Sequence, residues 1–316
     1  MDKQNLIDLI KKNRPNVKET TIKMYVSNLL KLMKLFDLED LTFLKDINKV
    51  EDKLKNLHYT TRRNYLNAII VYLLAKDKED KLIEEYVDIR DKLNKQYEDE
   101  QATGVISDKQ KENFVDISEI NNMINEMNKE IKDKKIRTKE TLTAKDKNLL
   151  MVYTLYNIYT RIPLRNDLAG MIVINKREYN KLTDKQKEEN NYLVINKNNM
   201  YMVLNQYKTS SKYKELNIDI PKDLERLLRQ YIKINGMGVL FKSSTGKPIT
   251  RNALSQLLLK WSKKYMGKSI STTMLRKSYL SSKYGKMKEE LEADNFVMGH
   301  SKGVAMNTYI KKDQEN

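Results

Sequence analysis

Strand-like patterning is confined to one short part of this chain, and that limits the folds open to it. Tyr192-Leu-Val-Ile-Asn, Met200-Tyr-Met-Val-Leu-Asn-Gln and Glu215-Leu-Asn-Ile-Asp-Ile read as strands. Asn198-Asn199 makes the first turn between them, and Lys208-Thr-Ser-Ser-Lys212 lies in the second. On both sides of this stretch the apolar residues recur at helical spacing. Three short strands make a small sheet at best, so the pattern predicts a mainly α protein with a small sheet set into its second half.

Residues 1 to about 96 read as almost all helix. Thr20 to Phe36 places Ile22, Tyr25, Val26, Leu29, Leu30, Leu32, Met33 and Leu35 at helical spacing, and a second run after Tyr59-Thr60-Thr61 carries Tyr65, Leu66, Ala68, Ile69, Ile70, Tyr72 and Leu73. Arg62 and Arg63 fall in the first turn of that second helix, where they oppose the helix dipole. A phosphate partner would account for them, and so would a solvated polar face. A further helix is expected over 79–96. From Tyr97 to Asp116 the period fails and the composition turns polar, which reads as a linker between a domain at 1–96 and a second at 117–316. In the second domain helices are expected near 117–135, 143–159, 223–234, 250–265, 272–284 and 287–297. Pro163 suits the first turn of a short helix carrying Arg165 and Asp167. The polar segment from Tyr179 to Asn190 reads as an excursion.

The formal net charge of +17, with charged residues at 33%, points to a polyanionic partner. No apolar run reaches the length of a membrane-spanning helix and no signal peptide opens the chain, so nucleic acid is the better partner and a membrane the poorer one. There are no cysteines and only two histidines, His58 and His300, which excludes disulfides and thiolate sites and argues against a multi-histidine metal site. The nine glycines form no GxGxxG or GxxxxGK[ST] cradle. No cofactor and no metal are expected, and an intracellular location fits.

The chemistry-bearing residues lie in the second half. Gly299-His300 is followed nine residues later by Tyr309, across a break at Ser301-Lys302-Gly303 that could fold both side chains into one site. Breaking a phosphodiester with a Tyr nucleophile needs fixed cations on the nonbridging oxygens, a donor for the departing sugar oxygen and an acceptor for the phenol proton. Arg165, beside a core-like helix, and Arg276, in Thr272-Thr-Met-Leu-Arg-Lys-Ser-Tyr279, fit as phosphate clamps, because a guanidinium grips phosphate bidentately and stays charged. Lys208, in the turn between two strands, fits a general acid, and His300 fits a hydrogen-bond donor to phosphate. Taken singly each is ordinary: a surface Arg, one more solvated Lys, a structural His.

Together, Arg165, Lys208, Arg276, His300 and Tyr309 resemble, in order and spacing, the catalytic set of the tyrosine recombinases, the phage-integrase-like family. Pro163-Leu-Arg-Asn-Asp and Tyr207-Lys-Thr further resemble the branch found in eukaryotic mobile elements and large DNA viruses. The motifs span residues 161 to 309, and the first domain is similar to the family's core-binding domain only in size and helical character. The resemblance implies a two-domain clamp, with a helical core-binding domain and an α+β catalytic domain whose small β-sheet is antiparallel. It implies a site-specific recombinase or integrase that cuts and rejoins double-stranded DNA through a 3′-phosphotyrosyl intermediate. It also implies a homo-tetramer on DNA and a monomer or dimer off it, located in a nucleus, nucleoid or viral factory. Arg62, Arg63, Lys212, Arg251 and Lys277 are the further cations expected against DNA. Two positions depart from the family pattern. Thr273 stands three residues before Arg276 where a His is usual, and Asp167 follows Arg165 at two residues where an acidic residue at three is commoner. Asp167 is therefore expected to buttress the site rather than act as its base. A type IB topoisomerase, a telomere resolvase and a catalytically inactive DNA-binding relative remain the alternatives.

Overall fold

A computed structural model of the chain describes residues 2–76, 80–102, 108–299 and 302–306. It divides into two compact units, Met1–Ile106 and Ser107–Asn316.

The first unit is helical: α1 (Lys3–Asn13), α2 (Glu19–Phe36), α3 (Ile47–Leu54), α4 (Tyr59–Lys76) and α5 (Asp80–Ala102). On α2, Ile22, Val26, Leu29 and Met33 are buried, the face that the helical spacing predicts. Leu66 and the run from Ala68 to Leu73 on α4 are buried nearly all round, so α4 forms the middle of the unit, packed against α1, α2 and α5. Asp37, left-handed at φ 55°, ends α2, and the Asp46 side chain caps α3 by accepting from the Lys49 amide. Tyr86 is fully buried and satisfies its hydroxyl by donating to the Leu44 carbonyl at 2.7 Å.

Helix α5 runs six residues past the expected end at Gln96, into the stretch read as linker. Contacts with α4 hold the extra turns. Arg63 lies over the Tyr97 ring at 4.5 Å, Tyr59 packs against the same ring, and the Tyr59 hydroxyl donates to Glu100. Apolar periodicity does not register such polar and aromatic contacts, so the sequence pattern stops before the helix does.

The second unit contains α6 (Asp108–Asn113), α7 (Ile117–Asp133), α8 (Ala144–Tyr159), β1 (Ile172–Asn175), α9 (Lys176–Tyr179), α10 (Asp184–Glu189), β2 (Tyr192–Ile195), β3 (Met200–Leu204), α11 (Ser210–Tyr213), β4 (Leu216–Asp219), α12 (Lys222–Asn235), β5 (Gly238–Val239), α13 (Arg251–Met266), α14 (Thr272–Met298) and α15 (Lys302–Val304). Its axis is α8, buried without interruption from Leu149 to Tyr159. Thr143 and Asp146 form a reciprocal capping box at its start. Helices α7, α12, α13 and α14 all pack against it. The buried Tyr156 hydroxyl donates to the Leu258 carbonyl at 2.8 Å, and Ser278 donates to the Val115 carbonyl at 2.6 Å, tying α13 to α8 and α14 to the segment before α7.

The sheet order is β4-β3-β2-β1-β5. It is mixed rather than wholly antiparallel, because β1 runs parallel to β2 in the register Ile172↔Tyr192. Two strands escape the sequence pattern: β1 is a four-residue apolar run, and β5 has only two residues beside positive-φ glycines. The polar excursion after β1 is the crossover that a parallel pair requires. It also covers the outer face of the sheet. Leu193, Met200, Met202 and Leu204 turn into the main core with α8, whereas Tyr192, Val194 and Val203 pack beneath Tyr179 and Leu182 on the other side.

The two helices expected at 272–284 and 287–297 are one 27-residue helix, α14. Gly285 lies inside it; a glycine there costs about 1 kcal/mol relative to alanine but, unlike proline, does not interrupt the hydrogen bonding. Among the described residues no helix is long and apolar enough to cross a membrane.

The contacts that prolong α5 give a local test. Tyr97→Ala removes the cation–π and ring contacts, worth about 0.5–1 kcal/mol at an exposed site. Amide exchange over residues 97–102 should then quicken by about 2- to 5-fold, with exchange in α4 unchanged. Unaltered exchange at 97–102 would mean that the helix extends for another reason.

Candidate active site

The last turn of α8 leads directly into the first functional residues. Tyr159 is fully buried, and its hydroxyl donates to the Arg165 carbonyl at 3.0 Å, fixing the backbone just where the clamp residue leaves it. Burial pushes the Tyr159 phenol well above its usual range, so it remains a neutral donor. Pro163 does not open a helix. The Leu164 amide instead donates to the Ile162 carbonyl at 2.8 Å across a tight turn, Arg165 is extended, and a single 3-10 turn follows at Asn166–Leu168. This places Arg165 at the surface and Asp167 in the interior.

A cavity of about 580 Å³ opens here. Arg165, Asp167 and Arg276 line it together with Tyr207 and Thr209, the two neighbours of Lys208, and with Tyr213 and Leu216 at an exposed apolar lip. Residues 165, 208 and 276 are far apart in the chain, so the fold makes this meeting. Arg276 is half-buried in the second turn of α14, between the buried Leu275 and Ser278. Lys208 is exposed, in the turn between Tyr207 and Thr209. The Tyr207 hydroxyl closes the base of that turn by donating to the Lys214 carbonyl at 2.8 Å, and Lys214 itself has positive φ (58°).

Asp167 is the electrostatic centre of the cavity. Its burial raises the carboxyl pKa above the usual value, against the lowering pull of Arg251, Arg165 and Arg276. Desolvation outweighs the three guanidinium groups, all of which keep part of their solvent. Arg251 Nη2 lies 3.6 Å from Asp167 Oδ1 and donates to the Gln206 carbonyl at 2.9 Å. Arg251 thus joins the Arg165 turn to the segment before Lys208, while its side chain stays 58% exposed. Asn191 bridges the same two segments from beneath. Its buried amide donates to the Asp167 and Gln206 carbonyls at 2.9 and 3.2 Å, and its oxygen accepts from the Asn205 and Gln206 amides at 2.9 and 2.7 Å. Asn166 anchors the turn to α13 through Ser255 at 2.7 Å. Sequence reasoning missed Asn191 and Asn166, since polar residues in an Asn-rich chain give no signal until their partners are known.

Other expected residues fall elsewhere. Thr273 is exposed one turn before Arg276 and is not among the residues that line the cavity. Lys212 rests over the Tyr213 ring at 5.2 Å, and Lys277 is half-buried on α14. In the first unit, Arg62 is 3.8 Å from Glu51 and Arg63 stacks on Tyr97, so both cations in the first turn of α4 have protein partners that account for their position against the dipole. His300 and Tyr309 lie outside the described residues. The helix before them runs one residue past the expected end at 297, to Met298, and is closed by Gly299, which is left-handed at φ 65°. Among the described residues no three His, Asp or Glu side chains converge as metal ligands.

No family model matches the chain, and no curated protein matches it. Among solved structures, the chain is similar to XerA recombinase at 11% identity and a TM-score of 0.35, with 99% of this chain and 95% of that one covered. It is also similar to the XerH site-specific recombinase, solved with its difH substrate as a pre-cleavage complex, at 13% identity and a TM-score of 0.47, covering 98% of this chain and 85% of that one. Likenesses at this level decide neither the fold nor the reaction, which stand on the chain's own residues.

Two outcomes follow from the arrangement around Asp167. Asn191→Ala strips partners from two amides and two carbonyls at once, and an unsatisfied buried group costs about 1–3 kcal/mol. A stability loss of about 2–4 kcal/mol is expected from the urea midpoint, and a loss below about 1 kcal/mol would show that water replaces the side chain freely. Asp167 has its folded-state pKa raised, so its contribution to stability is complete below the unfolded pKa of about 4 and is lost as pH rises through the folded value. Asp167→Asn should therefore flatten the fall in stability as pH rises above about 4, and at pH 7 it should be no less stable than the parent. A variant much less stable at pH 7 would show that the guanidinium pairing outweighs burial.

Proposed function

We propose that this protein is a DNA strand transferase of the tyrosine-recombinase kind, which cuts a strand with Tyr309 and rejoins it to another. The supporting observation is the cavity that gathers Arg165 and Arg276 around Asp167, with the Lys208 turn as one wall. Two guanidinium groups facing one cavity suit the two nonbridging oxygens of a phosphodiester, whose charge grows in the transition state. Arg251 and Asn191 tie the Asp167 turn to the segment before Lys208 before substrate arrives, which is how a site reduces reorganisation during reaction. The net charge of +17 supports duplex DNA as the partner.

In this reading the Tyr309 oxygen attacks phosphorus and gives up its proton to a solvent water as the O–P bond forms. The bond from phosphorus to the 5′-oxygen breaks, and that oxygen takes a proton from Lys208. The 3′-phosphotyrosyl link keeps the energy of the broken bond, and attack by the 5′-hydroxyl of a second strand reverses each step. His300 donates to the phosphate. Four protomers assembled on two duplexes would complete an exchange, with monomers or dimers off DNA. The exposed Thr273 is not needed as the proton acceptor in this scheme. The cavity distinguishes no branch of the family.

Lys208 and the two arginines have separable roles. Lys208→Ala should slow cleavage of ordinary DNA by roughly 10²- to 10⁴-fold, the usual effect of losing a general acid. With sulfur in place of the bridging 5′-oxygen the leaving group needs no proton, so Lys208→Ala should recover most of its rate. Arg165→Ala and Arg276→Ala should stay slow on both substrates, because the nonbridging oxygens are unchanged. Tyr309→Phe should form no covalent adduct on either. An adduct of normal yield in the Phe variant would end the strand-transfer reading, and equal rescue of all three cation variants would remove Lys208 from the acid's role.

A further inference from the structure

A second cavity, about 790 Å³, lies at the opposite end of α8. The first turns of α8 line it with the last turn of α12 and the hairpin around Lys242–Gly246. The 16 residues of α8 place its two ends about 22 Å apart, so this cavity is separate from the one around Asp167. Five cations line it, Arg137, Lys139, Lys147, Lys233 and Lys242, against one carboxylate, Glu140. Three of the five already have protein partners. Lys139 pairs with Asp146 at 3.0 Å, Lys242 donates to the Asn235 carbonyl at 3.2 Å, and Arg137 donates to Asn128 Oδ1 at 2.9 Å while lying over the Tyr153 ring. Lys147 and Lys233 are exposed and, among the described residues, have no carboxylate partner.

Crowding five like charges into one concavity is unfavourable unless an anion shares it, and low-dielectric walls focus their field into the opening. The cations come from four different segments rather than from one exposed run, so the fold creates the excess. No aromatic face lies open to stack a base, since the one ring in the wall, Tyr231, is buried. The free groups are ammoniums, with the hydroxyls of Thr141 and Ser244 beside them. Ammonium and hydroxyl donors spread along a wall suit a chain of phosphates reached one at a time, as a nucleic-acid backbone presents them.

We propose that this cleft is a second phosphodiester-binding site, holding the backbone of DNA at a distance from the cavity where strand transfer is proposed. It rests on nucleic acid being the partner, but not on cleavage by Tyr309. The contact positions the duplex and reads no sequence, since backbone contacts carry none.

The test uses the full-length chain and a random-sequence duplex of about 40 base pairs, long enough to reach both cavities. Affinity is measured across a salt series for the parent, for Lys147→Gln with Lys233→Gln, and for the control Lys181→Gln with Lys185→Gln. The control makes the same change in net charge on exposed residues outside the cleft. Loss of two phosphate contacts should make the slope of log K against log salt shallower by about 2 and weaken binding about 10-fold or more near 0.1 M salt. The control should show less than about half of either change. Equal effects in variant and control, or none in either, would overturn the proposal, as would failure of the parent to bind the duplex. If the cleft variant behaves as expected while the parent forms no adduct through Tyr309 on its own target site, the cleft stands and strand transfer falls. An adduct in the parent with an unaffected cleft variant gives the reverse.

Discussion

The burial of α8 on every side is the constraint on which the second unit depends. A helix with no solvent face needs partners all round, and α7, α12, α13, α14 and the inner face of the sheet supply them. At its C-terminal end the chain turns out of the helix after Tyr159, and Arg165 and the short 3-10 turn with Asp167 follow. At its N-terminal end the capping box and the segment before it open onto the second cavity. Both candidate sites are therefore placed by the same packed rod, which moves little on the timescale of binding.

A buried carboxylate among three arginines is costly by itself, and the raised pKa of Asp167 records that cost. Its position is more readily understood from what it organises. Arg251 and Asn191 each reach both the Arg165 turn and the turn before Lys208, so neither segment can shift without the other. The pair of arginines and the mobile-looking strand turn become parts of one constellation. Preorganisation of this kind matters for phosphoryl chemistry, where the protein contributes mainly position and charge.

Much of this was legible in the residues. Helical spacing on α2, α4, α7 and α8 predicts their bounds closely, and the three strand runs fall where the alternation places them. Arg165 and Arg276 could be singled out from their local context, and the structure brings both to one cavity. Each miss has a physical cause. The two-residue β5 is too short for any period to register, and β1, as long as β2 and β4, runs straight into α9 with no hairpin turn to mark it. The end of α5 is set by Tyr97 and Glu100 meeting α4, polar and aromatic contacts that apolar periodicity does not register.

The sequence by itself determined the helical character, the place of the small sheet, the excess of positive charge and the residue types that could serve a phosphodiester. These follow from properties a residue carries with its near neighbours: periodicity, turn chemistry, charge. Only the tertiary structure decided that Arg251 meets Asp167 and Gln206, that Asn191 joins two turns, and that five cations from separate segments face one cleft. Those outcomes depend on which side chains become neighbours across long stretches of chain, and on how much water each of them loses in the process.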